Sequence, residues 1–246
     1  MTELLKNYVA GEWVEGQGAG TALIDPVTGE ELARVSSEGL DAAAALRFAR
    51  EEGRGALQAL TYGERAALLG EVAKVLAGKR DDYYAISTAN SGTTKADTAV
   101  DVDGSSYTLS YYAKQGAGLG GARVLLDGEP VSLAKDGSFA TQHLLVPTHG
   151  VALLINAYNF PAWGLWEKAA PALLAGVPVV VKPATPTAWL TQRMVADVVA
   201  AGVLPKGALS VVCGAPGGLL DAVESFDVVS FTGSAATGAK LRAHRA

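Results

Sequence analysis

Residues 228–238 read V-V-S-F-T-G-S-A-A-T-G. A short β-prone run, Val228 to Phe231, passes through Thr232 and Gly233 to Ser234, and a helix-forming stretch follows. This order suits the binding of a phosphate group. Gly233 lets the backbone approach a ligand, Ser234 can cap the helix, and the free N–H groups of the first turn present partial positive charge to a pyrophosphate. The glycine spacing is Gly233-x4-Gly238 rather than G-x-G-x-x-G, so the common dinucleotide fingerprint is absent. "GSAATGAKL" is also a near miss for the Walker A pattern. Its lysine, Lys240, falls one place late, and Leu241 stands where a metal-binding hydroxyl belongs.

Further upstream, three side chains could do chemistry. Asn159, in "NAYNFP", can donate its amide to an oxyanion, or can serve as a turn residue. Lys182 follows the apolar run "VPVVV" directly; it can contact a ribose or compensate a phosphate, or be a solvated strand-end charge. Cys213 raises the question of a nucleophile. It follows Val211 and Val212 with no histidine near it in sequence, and an inert core thiol is the better reading.

These residues need elements to position them, and the last third of the chain supplies a repeating pattern. "GVALLIN" reads as a strand, Pro161 to Ala175 as a helix and "VPVVVK" as a second strand. "TAWLTQRMVADVVAAG" is a helix with Leu190, Met194 and Val198 on one face. "ALSVVCG" is a third strand, "GGLLDAV" a short helix and "DVVSF" a fourth strand. Continuous β-branched runs alternating with helices predict an α/β fold, a parallel sheet covered on both faces and wound as in Rossmann-like units. In such sheets ligands bind beyond the carboxyl ends of the strands, where the polar and glycine-rich loops fall here. The stretch from Ser36 to about Tyr112 has helical periodicity, with an Ala-rich segment from Asp41 to Arg50. Thr61 and Glu64 form a capping box ahead of Leu69, Val72 and Leu76. Between these regions, Arg123 to Pro147 carries two Asp-Gly turn signals among β-prone runs, as in a hairpin or meander. The expected division is therefore 1–122 helical, 123–147 β and 148–246 the Rossmann-like core.

Composition narrows the function classes. The 246 residues are 49% hydrophobic and 18% charged, a globular balance with room for a real core. The net charge is −5 and the basic residues are scattered, which argues against a nucleic-acid partner. The longest uncharged apolar run, Ala169 to Val181, contains Pro171 and Pro178 and is too short to span a membrane. The opening residues show no secretory pattern, and a single cysteine fits a reducing cytoplasm. Three isolated histidines argue against a metal site.

"NAYNFPAWG", "VVVKPATPTA" and "VSFTGSAATG", in this order, together with "GEW" and "IDPVTGE" near the start, resemble the aldehyde dehydrogenase superfamily. The resemblance covers essentially the whole chain. "VSSEGLD", "NSGTTKADTAVDVDG" and the run from "INAYNFP" to "LTQRMV" are most similar to its CoA-linked semialdehyde dehydrogenases of aerobic aromatic degradation. That resemblance implies a site. Asn159 would be the oxyanion donor, and Lys182 would contact the adenosine ribose. Ser234, with Gly233, would hold the pyrophosphate. Ile155, Tyr158, Ala184, Thr185, Thr232 and Thr237 would line the coenzyme, with Gly214 and Gly218 near the adenine end. Residues 123–147 would be oligomerisation strands, implying a homodimer.

One departure bears on the coenzyme. NAD-preferring members of the superfamily carry a glutamate three residues after the lysine, where it grips both ribose hydroxyls; here that position is Thr185. A carboxylate would repel a 2′-phosphate, whereas a hydroxyl can donate to one, so NADP is expected over NAD.

The superfamily's chemistry also needs a thiolate that attacks the aldehyde and a glutamate that activates water against the resulting thioester. Both lie downstream of the FTGS loop, in a part this chain is expected to lack. At about half the family's usual length, the chain is expected to be inactive alone, as the N-terminal part of a longer dehydrogenase. A stand-alone nucleotide-binding or interaction module is the other reading left open.

Overall fold

A computed structural model describes residues 2–244. Its centre is a six-stranded sheet in the order β11-β8-β9-β10-β2-β3. The strands are β2 (Asn7–Val9), β3 (Glu12–Val14), β8 (Ala152–Ile155), β9 (Val179–Lys182), β10 (Leu209–Val211) and β11 (Val228–Phe231). The four from the last third of the chain are parallel, as the alternating pattern predicts. Helix α6 (Trp163–Leu174) connects β8 to β9, and α7 (Ala188–Ala201) connects β9 to β10.

Successive side chains of a strand point to opposite faces, and at β8, β9 and β10 both faces are dry. Ala152, Leu154, Val179, Val181, Leu209 and Val211 enter one core, which they share with α6, α7, α3 (Tyr62–Ala77) and α5 (Lys95–Gly118). Val151, Leu153, Val180 and Val212 enter a second core, formed with Leu46 of α1 (Ala42–Phe48) and with Leu219. The apolar runs of β8, β9 and β10 lack alternation because these strands are buried on both sides, whereas β11 departs from the expected covered sheet, with Val228 and Val229 exposed.

Local signals place the helices. Thr61 caps α3, and the full reciprocal box with Glu64 is present. Asp41 caps α1, and Thr94 caps α5. Helices α4 (Arg80–Ser91) and α7 end at Gly92 and Gly202, both left-handed, at φ 65° and 63°.

Two expectations are corrected. The segment 1–122 is not helical from its start. Besides β2 and β3, β1 (Leu4–Leu5), β4 (Thr21–Ile24) and β5 (Glu31–Val35) precede the first helix, and the hairpin β2–β3 extends the main sheet through antiparallel pairing with β10. These strands are too short for periodicity to reveal. The stretch "GGLLDAV" forms successive turns, with Leu219 N–H donating to the Pro216 carbonyl at 3.2 Å, rather than a helix. The hairpin expected over residues 123–147 is present as a two-stranded ribbon, β6 (Leu125–Ser132) with β7 (Ala140–Leu145), in which one of the two Asp-Gly pairs makes the turn. Asp136-Gly137 lies at the reversal, whereas Gly128 (φ 73°) sits where the register shifts within β6. Leu126, Val131, Leu144, Leu145 and Val146 of this ribbon are all exposed.

Candidate functional site

The strand order turns back at one place. The chain runs outward from β8 through β9 to β10, then returns to lay β11 on the opposite side of β8. At such a switch point the loops leave in opposite directions and a crevice opens beyond the carboxyl ends. Here Phe231, Ile155 and Lys182 end three adjacent strands in register. The ladder continues one step further: Thr232 N–H donates to the Ile155 carbonyl at 3.0 Å, and Asn156 N–H to the Lys182 carbonyl at 3.1 Å.

A cleft of about 690 Å³ opens above this row. Ile155, Tyr158, Asn159, Lys182, Ala184, Thr185, Thr232, Gly233, Ser234 and Thr237 all line it, so most of the residues singled out from sequence are brought together. Gly214 and Gly218 are outside the lining. Gly214 is buried, with φ 115°, and a Cβ there would stand 3.0 Å from the backbone nitrogen of Ser37. It reaches the cleft only through its carbonyl, which accepts from the Thr185 hydroxyl at 3.2 Å. Gly218 is exposed in the turns after β10.

Ser234 caps α8 (Ala235–Arg242), its hydroxyl accepting from Thr237 N–H at 3.2 Å. The first-turn N–H groups of α8 lack intrahelical partners and lie at the cleft's edge. Gly233 has a reason beyond access for a ligand: a Cβ there would meet the Phe231 ring, 2.5 Å from Cζ. The glycine lets that ring fold over the loop.

Among the described residues, the lining contains a single charged residue, Lys182, and no carboxylate. Burial pushes its ammonium below the usual lysine range, an effect the neighbouring Cys213 opposes. A partly desolvated cation without an acid beside it favours an anionic or hydroxyl-rich ligand. Cys213 itself is fully buried, and burial pushes its thiol up to about 12. Such a thiol stays protonated at neutral pH and is a poor nucleophile.

Asn159 is exposed and lines both the cleft and an adjoining cavity of about 210 Å³, which it shares with Ala157, Phe160, Trp163, Glu167 and Thr232. The loop that carries it is clamped: the Thr187 hydroxyl donates to the Tyr158 carbonyl at 2.8 Å and the Thr191 hydroxyl to the Pro161 carbonyl at 2.6 Å. Sequence reasoning missed Asn156, Ala157, Pro186 and Phe231 in the lining. Asn156 is 5% exposed, and neither of its amide atoms has a partner among the described residues. A polar residue directly ending the run "ALLI" was the available signal. No group of metal-ligating side chains occurs among the described residues, nor is any described helix long and apolar enough to cross a membrane.

Comparison with known proteins bears on this geometry. Residues 13–246 match the aldehyde dehydrogenase family. The chain is 62% identical, over 98% of its length, to 3,4-dehydroadipyl-CoA semialdehyde dehydrogenase of Aromatoleum evansii, of which it covers 47%. It is 35% identical, over 97% of its length, to alpha-ketoglutarate semialdehyde dehydrogenase of Haloferax volcanii, covering 48% of that protein. The crystal structure of succinate-semialdehyde dehydrogenase from Burkholderia pseudomallei superposes with a TM-score of 0.81 at 32% identity, covering 97% of this chain and 48% of that one. The chain spans about half the length of the curated relatives it matches.

Proposed function

The chain belongs to the aldehyde dehydrogenase family, and on that premise we propose that it is the coenzyme-binding part of an NADP-dependent dehydrogenase that oxidises a CoA-linked semialdehyde to the acid. The observation that carries the coenzyme reading is the cleft at the switch point, with Lys182 as its only charge among the described residues and the Ser234-capped end of α8 at its edge. The two features are complementary to a dinucleotide: the helix end to its pyrophosphate, the lysine to its ribose or phosphate. The substrate proposed is 3,4-dehydroadipyl-CoA semialdehyde, an intermediate of aerobic aromatic degradation, on the strength of the likeness to the Aromatoleum enzyme.

The coenzyme, when bound, supplies the hydride acceptor. The other roles proposed here belong to this chain's residues. Asn159, shared by the cleft and the adjoining cavity, donates its amide to the oxygen of the reacting carbonyl as charge develops there. Tyr158, Ala184 and Thr185 form the rim, while Thr232, Gly233 and Thr237 shape the pyrophosphate seat. NADP is favoured because no carboxylate among the described residues lines the cleft to repel a 2′-phosphate. The hydroxyl of Thr185 would have to leave the Gly214 carbonyl to donate to that phosphate, so Lys182 carries most of the attraction. The exposed apolar ribbon β6–β7 is proposed as a homodimer contact, and the cytoplasm as the compartment.

The 246 residues alone are proposed to be inactive. The one cysteine, Cys213, is fully buried and burial pushes its thiol up to about 12, so the attacking thiolate is proposed to come from outside these residues, and the water-activating glutamate with it by the family resemblance. The test is turnover: the purified chain, given NADP and an aliphatic aldehyde or a CoA-linked semialdehyde, should form no NADPH. Aldehyde-dependent reduction that survives Cys213→Ala would overturn the assignment of the missing nucleophile, and reduction lost in that variant would make Cys213 the nucleophile.

A further inference from the structure

Helix α6 begins without a cap of its own. Its N-cap position is Ala162, in the αR region with no side-chain acceptor, and Pro161 precedes it. The N–H groups of a first helical turn need partners from outside the helix, most of all when the turn is buried. Ala162 is fully buried, and Asp101 on α5 meets the need. One carboxylate oxygen of Asp101 accepts from Trp163 N–H at 2.7 Å and the other from Ala162 N–H at 3.2 Å. Asp101 is 3% exposed, and its hydrogen-bond partners among the described residues are these two backbone groups, with no cation beside it. Its charge faces the positive end of α6.

The consequence reaches Asn159. Residues 158–161 are tied at their two ends by the hydroxyls of Thr187 and Thr191, and the next two backbone N–H groups are held by Asp101. Three points of attachment therefore flank a residue whose own side chain faces open space. We infer that Asp101 is a positioning residue for Asn159, acting through the N-terminus of α6. The catalytic meaning of this placement rests on the oxyanion role proposed for Asn159, whereas the placement itself does not depend on coenzyme.

The test is therefore made on the coenzyme-free chain, so that a displaced Asn159 and a failure to bind coenzyme are separate results. The readouts are amide hydrogen exchange and the side-chain amide resonances of Asn159. Asp101→Ala should speed exchange at Ala162 and Trp163 by at least about tenfold relative to amides of β9, and should move the Asn159 side-chain signals. Asp101→Asn keeps one acceptor, so it should retain protection at one of the two amides and displace Asn159 less. Thr108→Val serves as the control. It removes the 3.0 Å bond from Trp163 Nε1 at the same helix interface and should lower stability without moving Asn159. If Asp101→Ala does not fold, Asp101→Asn decides alone: loss of protection at one amide with displaced Asn159 signals supports the role. Unmoved Asn159 signals in the Asp101 variants, or equal displacement in Thr108→Val, would overturn it.

Discussion

Ile155 and Phe231 are register partners on adjacent parallel strands, although the chain passes through β9, β10 and two helices between them. This return of the chain makes the cleft. Had β11 followed β10 on the outer side, the FTGS loop would lie far from Asn159 and Lys182, and no single ligand could touch all three.

Lys182 is predicted to trade stability for binding. Its folded-state pKa is lowered by burial, so the charged form costs stability at neutral pH. Lys182→Met should raise Tm and weaken NADP binding by at least about tenfold, equivalent to ~1.4 kcal/mol. Thermal melts and a coenzyme titration on one preparation check both signs. A variant that loses stability and keeps affinity contradicts the role.

Thr185 should govern the choice between coenzymes. Thr185→Glu brings a carboxylate to the rim three residues after Lys182, where it would repel a 2′-phosphate and accept from ribose hydroxyls. The ratio of NADP to NAD affinity should fall by about tenfold or more, the range for one close charge pair. An unchanged ratio in paired titrations would mean that the 2′ position of the ribose lies elsewhere.

Asp101 gives a pH signature. Burial raises its carboxyl to about 6, against the small lowering from its two backbone donors. The folded chain therefore holds this proton up to about pH 6, while the unfolded chain has released it near pH 4. Between these values the native state binds more protons, so this group's contribution to stability falls as pH rises. Relative to Asp101→Asn, the wild-type chain should lose stability on the order of 2 kcal/mol from pH 4 to pH 7. Denaturant unfolding at several pH values measures the difference, and parallel curves for the two proteins would refute it.

Much of this was legible in the sequence, for physical reasons. Strands β8, β9 and β10 were readable because burial on both faces forces continuous apolar runs such as "VPVVVK". Ser234 was readable because a helix start needs an acceptor for its free N–H groups. The strands of residues 4–35 were not, since pairing rather than side-chain pattern defines elements of two to five residues. Asn156 and Phe231 were missed because their places in the lining depend on which strands are neighbours. Asp101 was missed for the same reason: the helix end it caps belongs to another element, α6.

The most direct measurement is a titration of the 246-residue chain with NADP⁺, followed residue by residue in ¹H–¹⁵N spectra. The account predicts saturable shifts centred on Ile155, Lys182, Thr185 and Thr232 to Thr237, with the ribbon 125–145 unaffected. Binding that leaves Lys182 and the Ser234 end of α8 unperturbed, or no binding at millimolar coenzyme, would contradict the assignment of the cleft.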